Sequence, residues 1–129
     1  MNEKIDKIKT DMKRLRTLRH AIESAKKAKE RHEQMIELIK GGAKETSQRI
    51  LERLYTATNS LGIEELIEEL STLENTYLPK IRTLEPFDRT LFIDNAINGM
   101  SYTMIANKIG YSKRGIEERI KRIYNKIAL

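Results

Sequence analysis

The sequence predicts an all-α fold, with a long N-terminal helical hairpin or coiled-coil region in residues 1–84. A three-helix helix-turn-helix domain is predicted to follow in residues 85–129. Apolar residues recur at steps of three and four along most of the 129-residue chain, as they do in helices. Aromatic residues make up only 5% of the chain, so its core must come from long aliphatic seams. Glycine and proline punctuate the periodic segments and divide them into separate helices.

The first predicted helix runs from about residue 2 to residue 40 without glycine or proline. Its apolar stripe consists of Ile5, Ile8, Met12, Leu15, Leu18, Ile22, Ala25 and Ala28. This is the pattern of a coiled-coil seam, and such a helix would be about 60 Å long. No small domain covers that length alone. The seam is therefore expected to pack either within a closed bundle of this chain or on a second copy.

Two further helices are predicted before residue 85. A glycine pair after residue 40 ends the first helix, and the second spans about residues 44–60. Gly62 is expected in the left-handed conformation that ends this second helix. A third helix begins near Ile63. Pro79 lies within its apolar stripe and is expected to kink or split the helix near Tyr77.

Residues 85–129 carry the signals of three short helices. Pro86 suits the first turn of the first of them. Ser101 and Ser112 are good N-caps for the next two, and Gly110 supplies the unhindered backbone that a tight turn between them needs. Two helices joined by a short glycine turn and supported by a third describe a helix-turn-helix.

The net charge of +6 is distributed unevenly along the chain. Residues 1–40 carry 12 Lys and Arg against 7 Asp and Glu, and residues 85–129 carry 8 against 5. Residues 41–84 are acidic, with 5 against 7. Basic ends raise affinity for phosphate polymers. On charge alone, a basic surface without a nucleic-acid role is an equally open alternative.

Several functional classes are disfavoured by what the chain contains. It has no cysteine for disulfides or thiolate metal sites. No apolar run approaches the ~18 residues of a membrane span, so no membrane partner and a cytoplasmic location are expected. His20 and His32 have no ligand-spaced partners and are expected on the surface of the long helix. No nucleophile is paired with a base. We therefore expect neither an enzyme nor a bound metal or cofactor.

The C-terminal segment carries a more specific motif. It consists of Arg89, Phe92, Gly99, Ser101, Tyr102, Ile105, Ala106, Ile109, Gly110, Tyr111, Ser112, Ile116, Arg119 and Ile120. This motif resembles region 4 of bacterial primary-type sigma factors. Within that group it most resembles the small phage-encoded regulators of the ArpU and RinA type, which activate late or packaging genes in phages of Gram-positive bacteria. The resemblance covers about 45 of the 129 residues. Met104 departs from it, because the family usually has an acidic capping-box partner there.

The resemblance implies a sequence-specific regulator that binds double-stranded DNA, a late-gene activator of a phage or prophage working in a bacterial host cell. The last helix of such a module enters the major groove with its N-terminal residues at base edges. Base readout is expected from Ser112, Lys113, Arg114, Glu117, Glu118 and Lys121. Phosphate contacts are expected from Ser101, Tyr102, Thr103, Lys108, Arg122 and Lys126.

Alternative roles stay open for some of these residues. Lys113 suits a phosphate contact as well as base readout. The two glutamates one turn later are also placed to pair within the helix with Lys121 or Arg122. Tyr111 and Tyr124 are expected in the core rather than as stacking platforms.

One such module buries little surface, so tight specific binding usually needs two copies on one duplex. We expect a homodimer or larger oligomer formed through residues 1–84, with half-sites ~34 Å apart or a multiple of that distance. Two rival functions stay open. One is a DNA-packaging protein like a phage small terminase subunit, although those usually carry the DNA-binding part first. The other is a sigma-like adaptor that binds RNA polymerase or another regulator.

Overall fold

A computed structural model of the chain describes the backbone of residues 3–41 and 45–129, and the side chains of 3–41 and 49–129. All regular secondary structure within these residues is helical, which confirms the predicted all-α class. The helices are α1 (Glu3–Lys40), α2 (Glu45–Asn59), α3 (Ile63–Arg82), α4 (Pro86–Phe92), α5 (Tyr102–Ile109) and α6 (Lys113–Ile127). The second glycine of the predicted pair after residue 40, and residue 44, lie outside the described residues.

The helices form two compact units. The first, here called the terminal unit, combines Met1–Thr17 with Leu70–Leu129, and the second, the middle unit, is Leu18–Glu69. Helices α1 and α3 contribute residues to both units. This division differs from the ranges 1–84 and 85–129 suggested by the sequence. The reason is that both ends of the N-terminal region pack with the C-terminal helices in one core.

The core of the terminal unit draws on all of its helices. Its buried apolar side chains are Ile8, Met12, Leu15, Tyr77, Ile81, Leu84, Leu91, Phe92, Ala96, Ile97, Ile105, Ala106, Ile116, Ile120, Ile123, Tyr124 and Ile127. The rings of Phe92 and Tyr124 meet edge to face with centroids 5.3 Å apart. Such aromatic pairs stabilise a core beyond their buried area. The first part of the α1 seam is thus buried inside a single chain.

A polar contact also joins α1 to α3. The Tyr77 hydroxyl donates a hydrogen bond to Asp11 Oδ2, and burial of the phenol together with this bond raises the pKa of Tyr77. Helix α3 continues through Pro79 to Arg82, so of the two predicted effects near Tyr77 the split is wrong, and the kink stays a prediction. Proline removes one backbone hydrogen bond there, and burial of Tyr77 and Ile81 on either side stabilises the helix across it.

The middle unit continues the α1 seam with Leu18, Ile22 and Ala25, all buried. His32 of α1 is half-buried, with Nδ1 3.0 Å from Thr58 Oγ1 of α2. His32 therefore lies at the edge of the surface, partly covered by α2. Gly62 adopts a φ of 64° after α2, which confirms the predicted left-handed residue.

The apolar face of helix α2 is poorly covered by other helices. None of its described side chains, residues 49–59, is buried. The exposed large apolar residues of the middle unit are Met35, Leu38, Ile50, Tyr55 and Ile67. Helices with an apolar face normally bury it against another element. The middle unit therefore retains apolar surface that its own helices do not cover.

The helix that opens at Pro86 changes its geometry halfway. Helix α4 ends at Phe92, and a π-helical turn, Ile93–Ile97, follows. The Asn98 N–H donates to the Ile93 carbonyl at 2.9 Å, and the Asn95 side chain donates to the Met100 carbonyl at 2.9 Å. These bonds fix the loop that leads into α5.

Candidate nucleic-acid interface

Side-chain caps fix the start of both α5 and α6. Ser101 Oγ accepts the Met104 N–H at 3.1 Å, and Ser112 Oγ accepts the Gly115 N–H at 3.0 Å. Both serines have extended backbone angles, as N-caps require. Both predicted caps are confirmed. A capping box would add a second bond, from the residue-104 side chain to the Ser101 N–H. Met104 has no carboxylate and cannot make it, as the sequence implied.

The turn between α5 and α6 depends on Gly110. Its φ is 76°, in the left-handed region. Its N–H donates to the Ala106 carbonyl at 2.9 Å, and the Tyr111 N–H donates to the same oxygen at 3.0 Å. Ala106, Ile105 and Ile116 are buried where the two helices meet. The predicted glycine turn is confirmed, and it fixes the angle at which α6 leaves α5.

Gly110→Ala is expected to lower the free energy of unfolding by about 1–2 kcal/mol, because an L side chain is strained in the left-handed region. No atom lies within 4 Å of a Cβ placed at this glycine, so the cost is conformational and not steric. Gly110→Asn is the matched control, since asparagine tolerates this conformation better. Urea unfolding followed by circular dichroism measures both. Equal losses for Ala and Asn would contradict the conformational explanation.

The N-terminal turn of α6 presents two cations to solvent. The Arg114 side chain is 88% exposed, and Lys113 is also exposed. Lys113 Nζ lies 3.8 Å from Glu117 Oε1, and Arg114 Nε lies 3.4 Å from Glu118 Oε1. The glutamates thus pair with the preceding turn, and the expected pairing with cations one turn later is wrong. Exposed pairs of this kind contribute at most about 1 kcal/mol.

The other predicted base-reading residues also lie on this surface. Ser112 is exposed, but its hydroxyl oxygen is engaged as the cap. Lys121 is exposed and lines a groove of 270 Å³ together with Lys9, Tyr102, Glu117 and Tyr124. The six candidates for base readout are therefore all on the first three turns of α6.

The predicted phosphate-contacting residues fall into separate places. Ser101, Tyr102 and Thr103 open α5, where Tyr102 is half-buried and the other two are exposed. Lys108 Nζ lies 3.3 Å from Asp94 Oδ2, which links α5 to the π-helical turn.

Two phosphate candidates lie on the later turns of α6. Arg122 is exposed. Lys126 Nζ lies 3.6 Å from Asp88 Oδ2, and it is about 20 Å along the helix from the Ser112 cap. Lys126 therefore takes part in a contact within the protein.

Asp88 is the one charged residue buried among those the structure describes, with 5% of its surface exposed. Arg119 Nε donates to Asp88 Oδ1 at 2.7 Å, and this bond raises the pKa of the Arg119 guanidinium. The guanidinium also lies 4.5 Å from the centroid of the Phe87 ring. Sequence reasoning missed this contact. Its signal was the position of Asp88 three and four residues before Leu91 and Phe92, which places it on the apolar face of α4.

Tyr111 and Tyr124 have different environments. Tyr124 is buried in the core, as expected, and burial raises its pKa. Tyr111 is exposed, so the core expectation is wrong for it. Its ring lies 5.6 Å from that of Phe87, which is also exposed. Tyr111 lies in the turn between α5 and α6 and belongs to the apolar face of neither helix.

Three basic residues of α1 lie beside the candidate interface and were not anticipated there. Lys9, Lys13 and Arg16 line a groove of 650 Å³ with the loop that opens α5. Their spacing of four and three residues puts them on one face of a helix. That spacing was a signal in the sequence, but the sequence did not show which helix would pack next to it.

Residues 3–41 and 45–129, which the structure describes, contain no group of three His, Asp or Glu side chains placed to hold a metal ion. None of their helices is both long and apolar enough to cross a membrane.

Comparison of the chain with protein-family models, with curated proteins and with solved structures found no match.

Proposed function

We propose that the chain is a non-catalytic, sequence-specific regulator of transcription that binds double-stranded DNA. In this proposal α5 and α6 form a helix-turn-helix supported by α4, and α6 is the helix that enters the major groove. Helices α1 and α2 form the N-terminal hairpin. The resemblance of the α5–α6 motif to phage late-gene activators suggests that the chain regulates such genes in a bacterial host.

The observation that carries the proposal is the N-terminal turn of α6. Its opposite face is fully buried through Ile116 and Ile120, its first N–H groups are capped by Ser112, and its solvent face begins with Arg114. A rigid helix with a satisfied N-terminus presents such a side chain in a defined direction. Arginine there suits the O6 and N7 atoms of guanine, which accept two parallel hydrogen bonds.

The ion pairs on α6 are compatible with this role. Arg114 exchanges an exposed glutamate partner, worth at most about 1 kcal/mol, for a base contact worth about 1–3 kcal/mol. Glu118, released from that pair, is an acceptor for the amino group of cytosine. The pair is therefore too weak to prevent either base contact.

Selection of bound duplexes from a random DNA library tests the proposal. The wild-type chain is expected to enrich one motif. Arg114→Ala is expected to relax the preference at one or two positions of that motif, with a loss of about 10- to 100-fold in discrimination. Arg122→Ala is the matched control, because loss of a phosphate contact weakens binding evenly across sequences.

A wild-type chain that binds DNA in a salt-sensitive manner but enriches no motif would contradict sequence-specific regulation. A packaging protein or an adaptor for RNA polymerase would then account better for the chain. The exposed pair of Phe87 and Tyr111 is the surface that an adaptor would offer to a protein, since aromatic residues are enriched in interface cores.

The proposal includes a homodimer, with half-sites ~34 Å apart or a multiple of that distance. The buried part of the α1 seam is already covered within one chain, so the second copy must use other surface. The exposed apolar residues of the middle unit, among them Ile50 and Tyr55 of α2, supply it. Light scattering over a range of concentrations measures the assembly. A monomer at all concentrations would contradict this part of the proposal.

A further inference from the structure

A groove runs along the side of the terminal unit where α1 meets the start of α5. Its volume is 650 Å³. The α1 wall carries Lys9, Lys13 and Arg16, and the opposite wall is the loop from Gly99 to Tyr102. Asp6 is the acidic residue of the lining. The groove lies wholly within one unit, so its walls belong to the same packed core.

The basic wall is held in place by its own helix. Met12 and Leu15, on the adjacent face of α1, are almost fully buried in the core. A Cβ placed on Gly99 would lie only 2.8 Å from Arg16 Nη1. Arg16 therefore lies directly over the loop that opens α5, in space that a side chain at residue 99 would occupy.

The basic wall continues toward α6. The smaller groove of 270 Å³ shares Lys9, Tyr102 and Tyr124 with the larger one and adds Lys121. Lys9 Nζ lies 5.5 Å from the centroid of the Tyr124 ring, and both residues line both grooves. The cations thus form a row in the order Arg16, Lys13, Lys9 and Lys121. We call this row the basic track.

Two carboxylates also line these grooves. Asp6 belongs to the larger groove and Glu117 to the smaller one. Glu117 is within ion-pair distance of Lys113 at the start of α6. The four cations of the track exceed these two carboxylates, so the combined surface is positive.

We propose that the basic track binds the sugar–phosphate backbone of the DNA duplex whose bases α6 reads. The inference rests on the proposed function and assigns a second DNA-binding element to α1. Cations four residues apart on a helix are about 6 Å apart. Such a row suits a linear polyanion better than a single small anion, because each cation meets a further phosphate. The track reaches α6 at Lys121, which in this inference contacts the backbone and not a base. Lys121 lies about two turns after the start of α6, so the duplex read by that start also passes the track.

The test is a double variant of the full chain, Lys13→Gln with Arg16→Gln. Its matched control is Lys26→Gln with Arg31→Gln, which removes two exposed charges from the same helix in the middle unit. Binding to a fluorescent duplex of the selected motif and to a scrambled duplex is measured over a range of salt concentrations. The track variant is expected to bind both duplexes about 10- to 100-fold more weakly. The slope of log affinity against log salt is expected to fall by about two. The control keeps the wild-type slope.

A track variant with the affinity and slope of the control would overturn the inference, while relaxed motif preference in Arg114→Ala would leave the proposed function standing. A wild-type chain that binds neither duplex would overturn both. The double variant Lys13→Arg with Arg16→Lys retains both charges and is expected to retain the salt slope of the wild type. It keeps the inference testable if the glutamine substitutions impair folding. Loss of the slope in this variant would overturn the electrostatic explanation.

Discussion

Residues 85–129 alone are expected not to unfold cooperatively, although they contain every helix of the predicted helix-turn-helix domain. The fragment lacks the buried side chains that the residues before Glu85 contribute to the same core, which are Ile8, Met12 and Leu15 of α1, Tyr77 and Ile81 of α3, and Leu84 just after α3. Removing one such large side chain typically costs about 2–5 kcal/mol. A whole domain of this kind is stable by only about 5–15 kcal/mol. Urea titration followed by circular dichroism compares the fragment with the full chain.

A single substitution tests the contribution of α1 to this core in the full-length chain. Leu15→Ala is expected to lower the free energy of unfolding by about 2–5 kcal/mol, because the side chain is fully buried and leaves a cavity. Met104→Ala is the matched control in the same unit. Met104 is exposed, so its truncation is expected to change stability by no more than about 0.5 kcal/mol. A fragment 85–129 with the sharp transition of the full chain would show that α1 is dispensable for this fold.

Local signals predicted the elements of the candidate site. The caps at Ser101 and Ser112 and the turn glycines Gly62 and Gly110 depend on interactions within a few residues, so sequence alone determines them. The apolar stripe of α1 also predicted its buried residues from Ile8 to Ala25, whereas Ile5 and Ala28 at its two ends are only half-buried. What it could not give is the partner, since a seam of this kind is equally suited to another helix of the same chain or of a second copy.

Contacts between residues far apart in the sequence were not predictable in the same way. Arg16 lies over Gly99, and Asp88 pairs with Arg119, because of the way α1 and α4 pack on the later helices. The predicted domain boundary after residue 84 follows the start of the helix-turn-helix signals at Pro86. The compact unit instead includes the start of α1, because burial of its apolar face follows the packing and not the order of the chain.

The contact between Asp88 and Arg119 is expected to contribute strongly to stability. Asp88→Ala is expected to lower the free energy of unfolding by about 2–3 kcal/mol, through loss of a charge-assisted hydrogen bond that joins α4 to α6. The effect falls below that of a fully buried ion pair, because the Arg119 side chain is 37% exposed. In Asp88→Ala, water therefore hydrogen-bonds to the Arg119 guanidinium in place of the lost carboxylate. Thermal and urea unfolding measure the change.

The reverse variant, Arg119→Ala, is expected to cost more than Asp88→Ala. It leaves a carboxylate that is only 5% exposed with Lys126 at 3.6 Å as its remaining partner, and burying a charge without a good partner is expensive. It also removes the cation over the Phe87 ring. The double variant Asp88→Ala with Arg119→Ala is therefore expected to be no less stable than Arg119→Ala alone. Strictly additive losses would show that the two side chains do not depend on each other.

The same pair connects stability to the proposed DNA contact. Arg119 lies on α6 five residues after Arg114, so the bond to Asp88 fixes the direction in which the start of α6 faces. At temperatures where Asp88→Ala remains folded, its affinity for the selected duplex is expected to fall while its preferred motif is unchanged, since no base-reading side chain has been altered. A changed motif in this variant would mean that Asp88 or Arg119 takes part in base readout itself. Unchanged affinity would mean that α6 is held in place by its apolar face alone.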